Sequence, residues 1–225
     1  MDFIHIFILS IIQGITEFLP ISSQSHLILT SYLLGLKDQG LGFDIALHFG
    51  SLIAILIYYR KELRSLLSLN DEGVNYLKLV IIGSIPLPIV GLLFIDIVSQ
   101  NMRSIFSIAS MTILFAVILY LADLKKKEIV TKFANISIYT IIFIGLMQTL
   151  AIMPGVSRSG IVITAALLAN FSREDSIKIA FLLSIPAIFM ATVYQSMQLY
   201  EVGNIDCLLY TSDAADEGLG VDLGG

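Results

Sequence analysis

The sequence is poor in charged residues and contains a single cysteine. Charged side chains make up 14% of its 225 residues, whereas 56% of the residues are hydrophobic. One soluble domain of this length cannot hide that much apolar surface, so the composition excludes an ordinary soluble enzyme. The lone Cys207 excludes a disulfide framework and a cysteine metal site. The sequence therefore predicts a protein whose solvent is largely the lipid bilayer.

The N-terminus lacks the basic segment with which a signal peptide begins, and it carries Gln13 and Glu17 where a cleavage site would lie. It is therefore interpreted as mature structure. Four apolar stretches are long enough, or nearly so, to cross the roughly 30 Å hydrocarbon core of a bilayer. They are residues 45–59, 77–98, 105–121 and 177–199.

Basic residues are concentrated in particular segments between these stretches. Lysine and arginine cluster in residues 60–64 and 125–132 and, more weakly, in residues 173–178. The positive-inside rule places these segments in the cytoplasm. The run of lysines from 125 to 127 is thus a topology signal, and no nucleic-acid partner is expected.

Two further apolar stretches, residues 3–36 and 136–169, are each interrupted by a polar loop that contains proline. The loops are residues 20–26 and 154–160. Because backbone at membrane depth must be satisfied by protein or by cavity water, loops of this kind are expected to line a site. In the predicted topology the first loop is entered from outside and the second from the cytoplasm, as an inverted pair.

The two interrupted segments also resemble each other in sequence at an offset of 134 residues. Without a gap, this offset aligns Pro20 with Pro154, Ser23 with Ser157, Ser25 with Ser159 and Thr30 with Thr164. Inverted repeats with broken helices place a site near the middle of the membrane. We predict an all-α polytopic membrane protein with two inverted repeats, about residues 1–98 and 105–206, each containing a re-entrant pair of helices.

The last residues differ from the rest of the chain. Residues 207–225 are rich in glycine and acidic side chains, contain no lysine or arginine, and include the run CLLYTSDAADE, which resembles a translated sequencing adaptor. They are predicted to be a non-native tail, so that the membrane domain covers residues 1–206.

Polar side chains of the first loop can supply reacting groups. A helix that begins near Ser22 would have a serine cap and free N–H groups, which attract anions. Ser22 and Ser23 precede His26 by four and three residues, so either serine could share a helix face with the imidazole and form a nucleophile–base pair. A carboxylate inside the membrane marks a functional position, and Glu17 could act as general base, orient His26 or hold a divalent cation.

The second loop adds a guanidinium. Arg158 suits a phosphate, whose oxygens accept two parallel hydrogen bonds from the planar fork, and it could also pair with Glu17. Gly155 would allow the backbone to approach a bulky anion. Asp44 and His48 lie near the outer end of the first complete span, where they could line the same pocket or be ordinary interfacial residues.

Three segments of the chain resemble signature regions of the bacterial undecaprenyl-diphosphate phosphatases, also called bacitracin-resistance proteins: QGITEFLPISSQSHL, FDIALHFGSLIA and PGVSRSG. The resemblance reaches about Asp206, and members continue through further membrane helices, so the second repeat is expected to be incomplete. It implies hydrolysis of undecaprenyl diphosphate to the monophosphate in the bacterial cytoplasmic membrane, with the chemistry toward its outer face. This reaction recycles the lipid carrier for cell-wall synthesis and removes the target of bacitracin.

Carried over by position, the resemblance assigns roles to the two loops. The catalytic residues are expected to be Glu17, Ser23, His26 and Arg158. The resemblance makes Gln13, Ser22, Ser157 and Ser159 expected substrate contacts, and Gly155 and Asp44 are added from their own chemistry and position in the sequence. A divalent cation, Mg²⁺ or Ca²⁺, held in part by Glu17, is also implied. The attacking group stays open among Ser23, His26 and a water molecule.

The expected partners are a polyprenyl diphosphate lipid and the bilayer, while a homo-oligomer is left open. The rival class is a transporter or lipid flippase, since inverted repeats with broken helices are also a transporter architecture. A third class is a non-catalytic membrane subunit. A serine and a histidine beside a carboxylate and an arginine favour an enzyme, because a carrier needs binding groups but no nucleophile.

Overall fold

The computed structural model describes residues 3–35, 41–65, 71–102, 104–124 and 136–201. Throughout these residues the regular structure is helical, as predicted. The helices are α1 (Phe3–Thr16), α2 (Ser23–Leu33), α3 (Leu41–Tyr58), α4 (Arg60–Ser65), α5 (Asp71–Ser84), α6 (Pro86–Asn101), α7 (Ile105–Leu124), α8 (Ile138–Gln148), α9 (Arg158–Leu168) and α10 (Arg173–Glu201), with a 3-10 turn (Thr149–Ile152) after α8. The predicted tail, residues 207–225, lies outside the described residues.

Three helical segments are long and apolar enough to cross a membrane: Gly73–Phe94, Phe106–Leu124 and Arg173–Tyr200. The second and third coincide with predicted spans, in α7 and α10. The shorter α3, also apolar, covers the first predicted span. The chain is therefore a multi-pass membrane protein.

The remaining predicted span, residues 77–98, is divided into α5 and α6 at Ile85. Pro86 and Pro88 follow the break, and a proline has no N–H to donate to the carbonyl one turn earlier. Ile85 keeps helical dihedral angles, φ −58° and ψ −43°, so the chain passes the break without reversing. The crossing is retained, although proline interrupts its hydrogen-bond ladder.

The two interrupted segments form helix pairs whose members are too short to cross the membrane. We call α1 with α2 the first helix pair and α8 with α9 the second; the helices of each pair pack against each other. These helices contain 11 to 14 residues. At 1.5 Å per residue they extend about 16 to 21 Å, well short of the roughly 30 Å hydrocarbon core. Helices of this length agree with the re-entrant pairs predicted from the sequence, in which each loop lies within the membrane.

The loops of the two helix pairs touch. Ser159 Oγ donates a hydrogen bond to Leu19 O at 2.6 Å. A Cβ atom at Gly160 would lie 3.4 Å from Pro20 O, so the backbones also approach closely. The two polar loops singled out in the sequence therefore form one continuous region.

Each loop ends in a serine that caps the following helix. Ser22 Oγ accepts a hydrogen bond from Ser25 N at 3.4 Å, and Ser157 Oγ accepts one from Gly160 N at 3.2 Å. The predicted cap at Ser22 is confirmed. The two caps are 135 residues apart, one more than the predicted offset of 134.

The difference arises because the second loop has one residue more than the first between its proline and its capping serine. Gly155 lies in this loop with a positive φ of 92°, and a Cβ atom there would collide with the backbone of α7. Only glycine fits such a position without strain. Ser157 therefore matches Ser22 in structure, and its ungapped alignment with Ser23 is wrong.

The core is centred on α9. Its residues from Ser159 to Leu167 are all buried, and the helix packs against α7, α8 and α10. By contrast, α1 exposes Phe3, Phe7 and Ile15, as expected of a helix face that contacts lipid. The second helix pair is thus the more deeply buried of the two.

A testable feature of this packing is the crossing of α5 and α8 at Gly83 and Gly145. A Cβ atom at Gly145 would lie 2.6 Å from Gly83 O, closer than real Cβ atoms approach. We expect Gly145→Ala to force the helices apart and to lower the melting temperature in detergent by several degrees, since overpacking costs about 1–3 kcal/mol. The control is Gly91→Ala, whose added Cβ meets nothing within 4 Å. Melting of both variants at the wild-type temperature would contradict the crossing.

Candidate active site

Glu17 is the centre of the site. It lies in the turn after α1, and its side chain is only 7% exposed. Its Oε2 accepts hydrogen bonds from Gln13 Nε2 at 3.0 Å and from Ser23 Oγ at 2.8 Å. Its Oε1 accepts one from Arg158 Nη2 at 3.1 Å. One carboxylate is therefore held by donors from α1, α2 and α9.

Local helix geometry explains these contacts. Gln13 lies one turn before Glu17, and a bond from Glu17 N to Gln13 O at 2.9 Å extends the helical turn to the carboxylate. Ser23 and Arg158 are the first residues of α2 and α9. The N-terminal ends of both helices therefore lie beside the same carboxylate.

Arg158 is the contribution of the second helix pair. Its side chain is 15% exposed and forms an ion pair with Glu17, which was one of the two predicted roles. The other terminal nitrogen, Nη1, is buried and has no hydrogen-bond partner among the residues that the structure describes. A buried donor without a partner costs about 1–3 kcal/mol. The guanidinium thus has donor capacity left for an anion.

His26 faces away from the carboxylate. Its Nδ1 lies 2.7 Å from Ser22 O, the one hydrogen bond of the imidazole ring within the described part of the chain. Because a carbonyl oxygen can only accept, Nδ1 carries the hydrogen and Nε2 of the neutral ring keeps its lone pair. Glu17 therefore does not orient His26, which was one predicted option; it accepts from Ser23 instead.

The serines of the second loop mainly shape the loop. Ser157 Oγ caps α9 and lies 3.1 Å from Ser159 Oγ. Ser159 is only 2% exposed, and its hydroxyl is donated to the first loop. On the other side, Thr112 Oγ1 of α7 lies 3.0 Å from Gly155 O. These bonds fix the start of α9 and hence the position of Arg158.

His48 also lies at the site. The sequence left open whether it lines the pocket or is an ordinary interfacial residue. It lies on α3, with Nδ1 3.1 Å from Gln13 Nε2 and 3.6 Å from Glu17 Oε2. Asp44, the predicted substrate contact, lies one turn earlier on the same helix and is half-buried. The signal in the sequence that points to His48 is an ionisable side chain within an apolar helix, which usually marks a functional position.

Sequence comparison then decides the family. The family model described as "Bacitracin resistance protein BacA" matches residues 6–216. The chain belongs to the BacA family. The match extends past Asp206 into the segment predicted to be a non-native tail, and that prediction stays a prediction.

Several similar proteins carry the name undecaprenyl-diphosphatase. The protein of Saccharophagus degradans is 41% identical, over 92% of this chain and 80% of its own length. The protein of Elusimicrobium minutum is 47% identical, over 86% of this chain and 76% of its own length. "Undecaprenyl-diphosphatase 1" of Pseudoalteromonas translucida is 43% identical, over 88% of this chain and 78% of its own length. The family resemblance seen in the motifs is confirmed.

The resemblance to the BacA family also implied a divalent cation at Glu17. Both carboxylate oxygens already accept hydrogen bonds from protein donors, one of which is the cationic Arg158. In the described ranges there is no group of three His, Cys, Asp or Glu side chains that could hold a metal ion. The residues present therefore do not fit a dedicated cation site.

The ion pair that joins the helix pairs can be tested by a double-mutant cycle. Removing one partner leaves the other charge unpaired in a buried site, a loss of about 3–5 kcal/mol for a fully buried pair. We expect Glu17→Gln and Arg158→Met each to lower the free energy of unfolding. The double variant should lose less than the sum of the two by at least about 1 kcal/mol. Unfolding in mixed detergent micelles measures these values, and a strictly additive cycle would show that the side chains do not interact.

Proposed function

We propose that the chain hydrolyses undecaprenyl diphosphate to undecaprenyl phosphate and inorganic phosphate in the bacterial cytoplasmic membrane. Membership of the BacA family and the names of its relatives support this activity. The observation that carries it is the bonding of Glu17, which places a serine hydroxyl and a guanidinium on one carboxylate. The reaction recycles the lipid carrier for cell-wall synthesis and removes the target of bacitracin.

The diphosphate is expected to bind at the starts of α2 and α9. A helix N-terminus attracts an anion through its free N–H groups and its dipole, and here two such ends lie beside Glu17. Arg158 adds its buried Nη1, which has no partner among the described residues. A phosphate oxygen supplies that partner, so that the guanidinium joins Glu17 to the substrate.

Ser23 is the favoured nucleophile, because its hydroxyl already donates to Glu17 Oε2 at 2.8 Å. Glu17 takes this proton while Ser23 Oγ bonds to the terminal phosphorus and the bond from phosphorus to the bridging oxygen breaks. Undecaprenyl phosphate leaves as an anion that Arg158 stabilises. Phosphoryl transfer depends mainly on positioning and charge neutralisation, and this site offers both.

A water molecule then releases the phosphate from Ser23. His26 is suited to take the proton of that water, because Nε2 keeps its lone pair while Nδ1 is bonded to Ser22 O. Glu17 returns its proton to Ser23 Oγ as the bond from serine to phosphorus breaks, and His26 passes the water proton to the departing phosphate or to solvent, which restores the resting site. Two alternative mechanisms use the same geometry. In one, His26 Nε2 attacks the phosphorus; in the other, a water molecule that Glu17 activates attacks it.

The six predicted substrate contacts fall into three groups. Gln13 and Ser159 are buried and bonded to other protein groups, so we assign them to positioning the site. Ser22 and Ser157, both half-buried at the helix starts, remain proposed contacts to the phosphates. Gly155 and Asp44 are half-buried and are proposed to line the approach to the site, with Gly155 bringing backbone close to the anion.

The two helix pairs are proposed to be the centres of two inverted repeats, about residues 1–98 and 105–206, within one membrane domain. The matching serine caps support this, because Ser22 and Ser157 each cap the second helix of their pair. Before the prolines, where the offset is 134, Ala151 occupies the position of Glu17. The reacting carboxylate thus belongs to the first repeat alone, which by the positive-inside topology opens toward the outer face.

The proposal is tested by phosphate release from undecaprenyl diphosphate by the purified full-length protein. Ser23→Ala, His26→Ala and Arg158→Ala should each lower kcat/KM by about 100-fold or more, because each removes a reacting or charge-stabilising group. Ser10→Ala is the control, since Ser10 lies on the exposed face of α1 and bonds only Ile6 O. If all three variants kept wild-type turnover, the catalytic assignment would be wrong and a lipid transporter would become the better account.

A further inference from the structure

His48 approaches the site from a helix that contributes no group to the proposed chemistry. It lies on α3, which packs against both α1 and α10. Its side chain is 26% exposed, and its Nδ1 is directed at the amide of Gln13 rather than at solvent. The position needs an explanation, because an ionisable side chain within an apolar membrane helix is costly.

The orientation of the Gln13 amide determines which form of His48 fits. Gln13 Nε2 carries two hydrogens, one of which is donated to Glu17 Oε2 at 3.0 Å. The reverse orientation would set the amide oxygen against a carboxylate oxygen, two acceptors with no hydrogen between them. The second hydrogen of Nε2 therefore points to His48 Nδ1 at 3.1 Å. His48 accepts this bond only when its ring is neutral and the proton is on Nε2.

We propose that neutral His48 is a positioning residue that holds Gln13, and through it Glu17, in line with Ser23, and that protonation of His48 turns the site off. The inference rests on the proposed hydrolysis, because it concerns the same carboxylate. The chain of contacts runs from His48 Nδ1 to Gln13 Nε2, then to Glu17 Oε2, and ends at Ser23 Oγ.

Protonation would change this chain in two ways. A ring that carries hydrogen on Nδ1 can no longer accept from Gln13, so two donors face each other at 3.1 Å. The new N–H lies 3.6 Å from Glu17 Oε2, the same oxygen that accepts from Ser23. The imidazolium therefore competes with Ser23 for the carboxylate and weakens Glu17 as the acceptor of the serine proton.

The charged and titratable groups around His48 come from three helices and the turn after α1. From that turn and from α9 they are Glu17 and Arg158, which already form an ion pair. Asp44 lies one turn earlier on α3 itself, and His26 of α2 is bonded to Ser22 O. On α10, Phe189, Thr192 and Val193 line a pocket together with Phe49, the neighbour of His48, and none of these three side chains is ionisable. Of the carboxylates named here, Glu17 is the one with an oxygen measured close to Nδ1, at 3.6 Å.

The test compares two substitutions in the purified full-length protein by the pH profile of kcat/KM for undecaprenyl diphosphate. His48→Asn keeps an acceptor, because Oδ1 takes the place of Nδ1, but it removes the titrating ring. His48→Leu removes the acceptor as well. On the alkaline side of neutrality, where histidine is uncharged, His48→Asn should stay within about 3-fold of wild type, whereas His48→Leu should lose about 10- to 100-fold through misplacement of Glu17.

The acid side of the profile supplies the readout that a structural role would not change. Protonation of His48 in the wild type adds to any acid loss that the rest of the site causes, so kcat/KM should fall more steeply with acid than in His48→Asn, which lacks the imidazole. Identical acid-side profiles for the wild type and His48→Asn would overturn the inference, as would wild-type activity of His48→Leu. Because His48→Asn keeps the acceptor, the comparison stands even if His48→Leu fails to fold.

A parallel measurement on Ser23→Ala separates this inference from the proposed function. If Ser23→Ala is inactive and both His48 variants behave as wild type, the hydrolytic assignment stands and the role of His48 falls. If Ser23→Ala hydrolyses the lipid at the wild-type rate, the assignment of the site itself falls, and with it the role given to His48.

Discussion

A carboxylate buried within the thickness of a membrane is stable only when protein groups replace its water. Glu17 meets this condition with a cation from the second helix pair and with neutral donors from the first. The ion pair with Arg158 thereby joins two segments that are 141 residues apart in the chain. The positions of Ser23 and of the free edge of the guanidinium follow from this one contact.

The surrounding structure keeps the contact in place by satisfying backbone at membrane depth. Ser159 donates to Leu19 O across the two loops, and Thr112 lies within hydrogen-bonding distance of Gly155 O. Short helices end inside the membrane because their loops find these partners in protein, as irregular backbone there requires. In the proposed mechanism the first helix pair therefore carries the groups that exchange protons, and the second carries the charge that neutralises phosphate.

Short-range patterns in the sequence predicted several features of the fold and of the candidate site. The two loops, the serine cap of α2 and the pairing of Arg158 with Glu17 follow from polar residues where lipid should be. Contacts set by tertiary packing did not follow. His48 reaches Gln13 only because α3 packs on α1, and the ring of His26 turns to its own helix start rather than to Glu17. The offset of 134 residues holds at the two prolines but not at the two capping serines. The second loop contains one extra residue between its proline and its serine, which an ungapped alignment cannot represent.

The central claim is that the two helix pairs each supply half of one diphosphate site. An experimental structure of the protein with an undecaprenyl diphosphate analogue, in which a methylene group replaces the bridging oxygen, tests it most directly. The account predicts the terminal phosphorus about 3–3.5 Å from Ser23 Oγ, as reacting atoms require, with one of its oxygens bonded to Arg158 Nη1. A headgroup bound away from both loops, or held by one helix pair alone, would contradict it.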